Sequence, residues 1–451
     1  MAESDFFHEL DYGPVSKKVL FVTLMSGMGV FLEGYDFTNI ASALIFLIPY
    51  FSLKPVETSV LAVSTYVGTF IGAIVIGNLA DLFGRRVMYI ADIVFYIIFA
   101  ITSGLSINYL MLVLSRIGLG FGIGADQALS FSIIAEVSPA KRRGMLNAST
   151  WVLWTIASLL TYVISFSLYP ILGDNTWRVL FLLSVIPGII VVLGRMYVPE
   201  TPRWLVATGK VEEAKEYTKS FFNKALGGLV EKPYIKKRNL SRWKEIFERG
   251  QLKKTIYISV MWFGITVNTY GIGYFTPFIF RTLGFTARAS LFGGMLVAVF
   301  SLLGSITMML LVERIGRKAL AATGFLVLTI IDFILSFVGS GRHFLTLLIL
   351  FSIFEYAAWI GPAGLVGVVA PEVFPTSIRS TGTGFGAAMG RLGSIIGIYL
   401  APLLILSVGL GHAMYFYGAD ALIAFIVMVI FGVETKGKTL EQLTKSEVYK
   451  G

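Results

Sequence analysis

Hydrophobic residues in this chain do not alternate with polar ones and do not recur at helical spacing; they come in long uninterrupted runs. Runs of about 18 or more apolar residues read as membrane-spanning helices, because in lipid the backbone must satisfy its own hydrogen bonds. Barrel strands would be short and alternating, so the pattern predicts helices. Twelve spans are predicted, at about 19–48, 58–80, 87–105, 109–137, 144–169, 177–198, 255–282, 288–312, 319–338, 344–370, 380–408 and 411–433. Several exceed the thickness of a bilayer and imply tilt or extension beyond it. One long polar stretch, 203–254, divides the runs six and six. It is too short for a soluble core, and VEEAKEYTKSFF within it has amphipathic helical spacing. The fold class expected is an all-α membrane protein with two six-helix halves. The divisions are 1–200, a linker at 201–254, 255–435 and a tail at 436–451.

Composition agrees: 56% hydrophobic, 14% charged and mean hydropathy +0.78 over 451 residues. The net charge of +10 suggests nucleic acid only until the charges are placed. Of 37 Lys and Arg, 29 fall in the termini and one alternate set of loops. The other set holds Lys54, Arg178, Arg281, Arg288 and Arg342, while Arg116, Arg195 and Arg391 lie in or at the end of apolar runs. This is the positive-inside pattern, so both termini and the linker are expected on the cytoplasmic side of the cell membrane. The N-terminus MAESDFFHELDYG lacks a signal-peptide n-region, so the first helix is expected to serve as an uncleaved insertion signal. There is no cysteine. His8, His343 and His412 sit at loops or the terminus without an HExxH pattern, so no enzyme and no metal or other cofactor is expected.

The halves echo one another. GNLADLFGRR around Gly84 is echoed by LVERIGRK around Gly316, AEVSPAKRRG around Glu136 by PEVFPTSIRS around Glu372, and PETPRWL with Glu200 by VETKGKTL with Glu434. The offsets are 232, 236 and 234 residues, as expected of a duplicated unit. Carried by these motifs and by RIGLGFGIG, the chain resembles the major facilitator superfamily over nearly its whole length. Within it, the resemblance is to the sugar-porter-like group of solute–proton symporters. The resemblance implies alternating access and a cytoplasmic gate of Gly77, Asp81, Gly84, Arg85, Arg86, Glu136, Arg143, Glu200, Glu313, Gly316, Arg317, Glu372, Arg379 and Glu434. Arg85 and Arg86 are expected to reach Glu136, Arg143 to reach Glu200, and Arg379 to reach Glu434; simple positive-inside anchoring is the other reading. Leu82 stands where the family's motif usually has an arginine.

Charges inside the runs are costly and need a reason. Asp36 lies about 25 Å along the first helix, near mid-bilayer, and Arg116 lies about 10 Å from the outer end of the fourth, within reach of that level. In the symporters resembled, the aspartate of the GYD motif, here Gly34-Tyr35-Asp36, takes the coupling proton and the arginine opening the glycine run, here Arg116, pairs with it. A static ion pair is the alternative. Glu33, one turn before Asp36, either shares the proton or faces the cavity. Asp126 is a substrate or proton ligand, or a satisfied bundle carboxylate. Asp92, Asp332, Glu355 and Asp420 read as packed. Gly118, Gly120, Gly122 and Gly124 form two interleaved GxxxG pairs, a signal of close helix approach.

Arg391, amid small residues in GAAMGRLGSI, is expected either to meet a substrate anion or to pair with Glu355 or Asp36. Sugar porters carry a fifth-helix glutamine, paired seventh-helix glutamines and a tenth-helix tryptophan; Ser158, Gly264-Ile265 and Gly367 stand there, with Trp359 two turns before the last. The phosphate symporters' seventh-helix aspartate is replaced by Thr266. With Asn268, Tyr270 and Tyr274 as further polar candidates, the residues lean towards an anionic metabolite, an organic acid or phosphate, moved with a proton. The alternatives are a sugar–proton symporter, an uncoupled sugar facilitator and a non-transporting nutrient sensor. The partners expected are a small solute, a proton and the bilayer, with no nucleic acid, and the chain is expected to be a monomer.

Overall fold

The computed structural model describes residues 13–83, 85–124, 126–139, 142–198, 200–207, 209–222, 244–338, 343–374 and 378–436. The first six crossings are α1 (Lys17–Phe51), α2 (Pro55–Phe83), α3 (Arg85–Gly104), α4 with α5 (Tyr109–Ile123 and Asp126–Val137), α6 (Arg143–Leu172), and α7 with α8 (Thr176–Leu183 and Val185–Arg195). Two short helices follow, α9 (Pro202–Ala207) and α10 (Val211–Phe222), the latter the predicted amphipathic segment. The second set is α11 with α12 (Arg249–Asn268 and Thr276–Thr282), α13 (Ala287–Ile315), α14 (Arg317–Val338), α15 with α16 (Phe344–Ile360 and Pro362–Val373), α17 (Arg379–Val408) and α18 (Leu410–Phe431). The twelve crossings match the predicted spans to within a few residues at most ends. The pairing of helices also repeats: first with fifth, second with fourth and third with sixth, in both halves. The halves meet where α2 runs along α17 and α6 along α13, with α12 against α1.

Helix ends follow local chemistry. Ser16 caps α1 by accepting the Val19 N–H at 3.2 Å, Asn108 caps α4 through the Met111 N–H at 2.8 Å, and Thr286 caps α13 through the Ala289 N–H at 3.2 Å. Between α11 and α12 the seventh crossing loosens into a π turn, Thr269–Gly273, a form that recurs at functional sites. Large apolar side chains such as Leu114, Leu193, Leu310, Ile330 and Ile430 are exposed on the outside of the bundle. A belt of that kind belongs in lipid.

The glycine run does two jobs. Gly120 and Gly124 abut the α2 backbone at Thr65 and Thr69, while Gly118 faces the Phe99 ring and Gly122 the Asp92 carbonyl of α3. A methyl added at Gly122 would stand 2.7 Å from that oxygen. At Gly120 it would meet the Thr65 carbonyl, which is backbone and cannot swing aside. Gly120→Val is therefore expected to cost at least about 3 kcal/mol, the upper end for overpacked cores. Yield and melting temperature in detergent, beside Ser115→Ala as control, test this; unchanged melting would contradict the close-approach account.

Candidate proton and substrate site

Asp36 on α1 and Arg116 on α4 form a bidentate pair, with Nη1 donating to Oδ1 at 2.6 Å and Nη2 to Oδ2 at 2.7 Å. Both are fully buried, and the guanidinium lies over the Phe181 ring, 4.9 Å from its centre. Parallel N–H donors meeting both carboxylate oxygens make this the strong form of the interaction. The sequence placed these residues at one level, and the structure brings them together.

One turn earlier, Glu33 accepts from Arg391 at 2.9 Å, joining α1 of the first half to α17 of the second. Sequence reasoning considered Glu355, Asp36 or a substrate anion for Arg391; the anion beside it is Glu33. The reason is helix rotation: Glu33 lies one turn from Asp36 and faces the other half. Glu355 is engaged elsewhere, accepting from Ser301 Oγ at 2.7 Å and the Trp359 indole N–H at 3.1 Å.

Three other expected substrate ligands are corrected. Asp126 pairs with Arg195 at 2.5 Å inside the first half and is not among the residues that line the cavity described below, as in the bundle-carboxylate reading of it. Arg195, at the very end of α8, reaches inward to it. Asn268 donates to Asp420 Oδ2 at 2.8 Å and so turns towards α18. Ser158 accepts from Thr38 Oγ1 at 2.9 Å and ties α6 to α1.

Tyr270 and Tyr274 do line an internal cavity, with Trp151, Trp262, Trp359, Thr266 and Thr269. Its open space is only about 30 Å³, room for a water or two. Rings form half of its wall, with Ile265, Ala363 and Val366 as its aliphatic part. Trp154 lies 4.8 Å from Tyr274 and 5.5 Å from Trp359 between ring centres, Trp151 lies 6.1 Å from Trp359, and Tyr66 lies 5.5 Å from Tyr270. Gly390, next to Arg391, packs on the Trp262 ring. Three neutral groups of the wall, Trp262 Nε1, Thr269 Oγ1 and the Tyr274 hydroxyl, are buried without a hydrogen-bond partner. At Gly367 the nearest neighbour of an added methyl would be the Trp151 indole nitrogen, at 3.3 Å. Trp359 was noted from the sequence; Trp151, Trp154 and Trp262 are what sequence reasoning missed. Their signal was depth: Trp151, Trp154, Trp262 and Trp359 sit within spans, away from the interfacial belt that usually holds the residue.

At the membrane face that carries the echoed motifs, Glu200 accepts the Arg86 N–H at 3.0 Å, and Arg86 donates to the Met196 carbonyl at 2.9 Å. In the second half Glu434 accepts the Arg317 and Lys318 N–H groups at 3.0 and 3.1 Å. Each acid thus caps the start of a third crossing, where N–H groups lack helical partners. The expected partners of these acids, Arg143 for Glu200 and Arg379 for Glu434, have side chains outside the described residues. Arg317 pairs with Glu372 at 3.1 Å, and Thr435 donates to Glu372 at 2.6 Å. Gly316 has φ 104°, and a Cβ added there would stand 2.5 Å from Glu434 Oε2, so only glycine suits it. Gly84, the surroundings of Gly77, and the side chains of Asp81, Arg85, Glu136, Arg143, Glu313 and Arg379 lie outside the described residues.

Burial acts to raise the Glu434 carboxyl, but backbone N–H donors from Lys436, Arg317, Lys318 and Thr435 outweigh it and hold it below the usual range. Its stabilising contribution is full above the ordinary glutamate pKa of about 4.5 and is lost as pH falls through the lowered folded value. Glu434→Gln should therefore lower the melting temperature at neutral pH, with a cost of about 0.5–2 kcal/mol as for a lost cap. The gap to the parent should close in acid; a gap independent of pH would contradict the capping role.

A family model described as "Sugar (and other) transporter" matches residues 22–446. The chain belongs to that family. Similar proteins include the niacin transporter NiaP of Acinetobacter baylyi, 27% identical with 97% of this chain and 99% of that protein covered. Another is the arabinose-proton symporter of Bacillus subtilis, 28% identical with 95% and 94% covered. The xylose transporter XylE from E. coli, in a partially occluded inward open conformation, superposes with a TM-score of 0.77 at 24% identity, covering 94% of this chain and all of that one. The fold is therefore the major facilitator fold, and the protein is a multi-pass transporter of the cell membrane and not an enzyme.

Proposed function

We propose that the chain is a proton-coupled symporter of a small neutral polyhydroxylated solute, a sugar or polyol. The observation that carries the substrate class is the cavity wall: ring faces with three unpartnered neutral hydrogen-bonding groups. Ring faces suit the C–H faces of a sugar, and indole and hydroxyl groups suit its oxygens. The guanidinium groups of Arg116 and Arg391 each meet a carboxylate of the protein. The lean towards an anionic substrate drew on Asp36, Asp126 and Arg391 together, and in the structure each of them meets an opposite charge of the protein. The arabinose-proton symporter relative supports both sugar and proton. Asp36 is the carboxyl proposed to carry the proton. Beside Arg116 it stays ionised, and when the pair opens a buried carboxylate takes a proton. Because the cavity is so narrow, the rings and the π turn of the seventh crossing must part to admit a solute.

The charge asymmetry supports both termini and the linker 201–254 on the cytoplasmic side, with the halves divided at 1–200 and 255–435. That would make the Glu200, Glu372 and Glu434 contacts part of an inner gate. Substrate class is tested by titrating D-xylose, L-arabinose, D-glucose, nicotinate and phosphate into purified protein while following tryptophan fluorescence. Saturable quenching by a sugar is expected, weakened about tenfold or more in Trp262→Ala, equivalent to about 1.4 kcal/mol. Saturation by nicotinate or phosphate with no response to any sugar would overturn the substrate class.

A further inference from the structure

Behind the central pair, the first half holds a second set of buried charges that the transport reading does not use. Asp92 on α3 and Asp126 on α5 meet Arg195 of α8, at 3.2 Å and 2.5 Å. Exposure is 0% for Asp92 and Arg195 and 1% for Asp126. The guanidinium carbon lies over the Tyr89 ring, 3.5 Å from its centre, and the group donates to the Tyr89 carbonyl at 2.8 Å. Two carboxyls thus face one guanidinium. Asp92 Oδ1 accepts from Arg195 and from the Ile93 N–H, yet Asp92 Oδ2 is buried with no donor.

With both acids ionised the cluster would hold an uncompensated negative charge away from water, with two carboxylates on one guanidinium. That state is strongly disfavoured. A proton between the two carboxyls removes the excess charge and gives Asp92 Oδ2 its missing partner. Among the described residues, the other titratable and charged groups around it do not supply the balance. On α1, Gly29 abuts Asp126 and Arg195 directly, and Glu33, one turn on, is bound to Arg391. Tyr89 gives its hydroxyl to Ser26 at 2.7 Å.

We propose that Asp92 and Asp126 share one proton against Arg195 and form a second proton-holding site, separate from Asp36. It lies about 10 Å along α1 from Asp36, at the level of Gly29, towards the start of the helix. Ser130, donating to Asp126 at 3.5 Å, and the Tyr89–Ser26 pair continue a polar line in that direction. The site stands on a charge count and does not depend on the coupling role of Asp36 or on the substrate.

Infrared spectroscopy of the purified protein in lipid, in light and heavy water, tests it without any solute. A protonated carboxyl gives a C=O stretch above the amide band that shifts on deuteration. One such band in the parent at neutral pH should be lost in Asp92→Asn and lost in Asp126→Asn. It should remain in Asp36→Asn. Asp92→Glu and Asp126→Glu, which keep a carboxyl, should move the band rather than remove it and serve where an asparagine variant does not fold. A parent spectrum unchanged by any substitution at Asp92 or Asp126 would overturn the proposal.

Discussion

Asp36→Asn is expected to abolish accumulation of solute against its gradient while leaving counterflow exchange across the membrane. Exchange returns the carrier loaded and needs no net proton movement; accumulation needs a group that takes and releases a proton. Asparagine keeps the shape of the side chain but cannot do that. It also leaves Arg116 buried with a neutral partner in place of the carboxylate now 2.6 Å away, so a loss of stability of about 3–5 kcal/mol is the upper bound. Monodispersity on size exclusion separates that loss from the coupling defect. Asp36→Glu retains the carboxyl and should retain some accumulation. If Asp36→Asn concentrates solute as well as the parent, Asp36 is not the coupling group.

The second large effect concerns the bond between the halves. Arg391→Ala leaves Glu33, which is 1% exposed, without its cation. Removing one partner of a buried pair costs about 3–5 kcal/mol, because the remaining charge stays desolvated. Glu33→Gln with Arg391→Gln removes both charges, and it should recover most of the melting temperature lost in Arg391→Ala. The cycle of the two single variants and the double reports the coupling directly. A binding arm adds what stability alone misses. Since the solute is proposed to be neutral, the double variant should still bind sugar. A double variant no more stable than Arg391→Ala would mean that Arg391 and Glu33 act independently.

These two pairs show where sequence reasoning reached and where it stopped. The crossings were legible because lipid forces long apolar runs into helices. The glycine run and the echoed motifs were legible because their spacing has one physical meaning. Asp36 and Arg116 were legible because rise per residue places two deep charges at one height. Rotation about a helix axis is not fixed by rise. Glu33 and Asp36 are one turn apart, yet one turns to the second half and the other to α4. The same gap left Asp126 open on paper between a substrate or proton ligand and a bundle carboxylate; in the structure it meets Arg195. Glu200 and Glu434 could have been read better. An acid just past each sixth crossing, matched to a Gly-Arg at the start of each third, is the pattern of a helix-capping carboxylate. The ring-lined cavity has no such local signature, because it is assembled by α6, α11, the π turn, α15 and α16 from both halves.

Solute-driven proton movement tests the central claim most directly. Proteoliposomes with no pH or voltage gradient are mixed with D-xylose, L-arabinose or D-glucose while external pH is recorded. Proton-coupled sugar symport predicts alkalinisation outside on adding the transported sugar, absent in Asp36→Asn and absent on adding nicotinate. Sugar entry with no pH change, or a pH change evoked by nicotinate or phosphate and by no sugar, would contradict it.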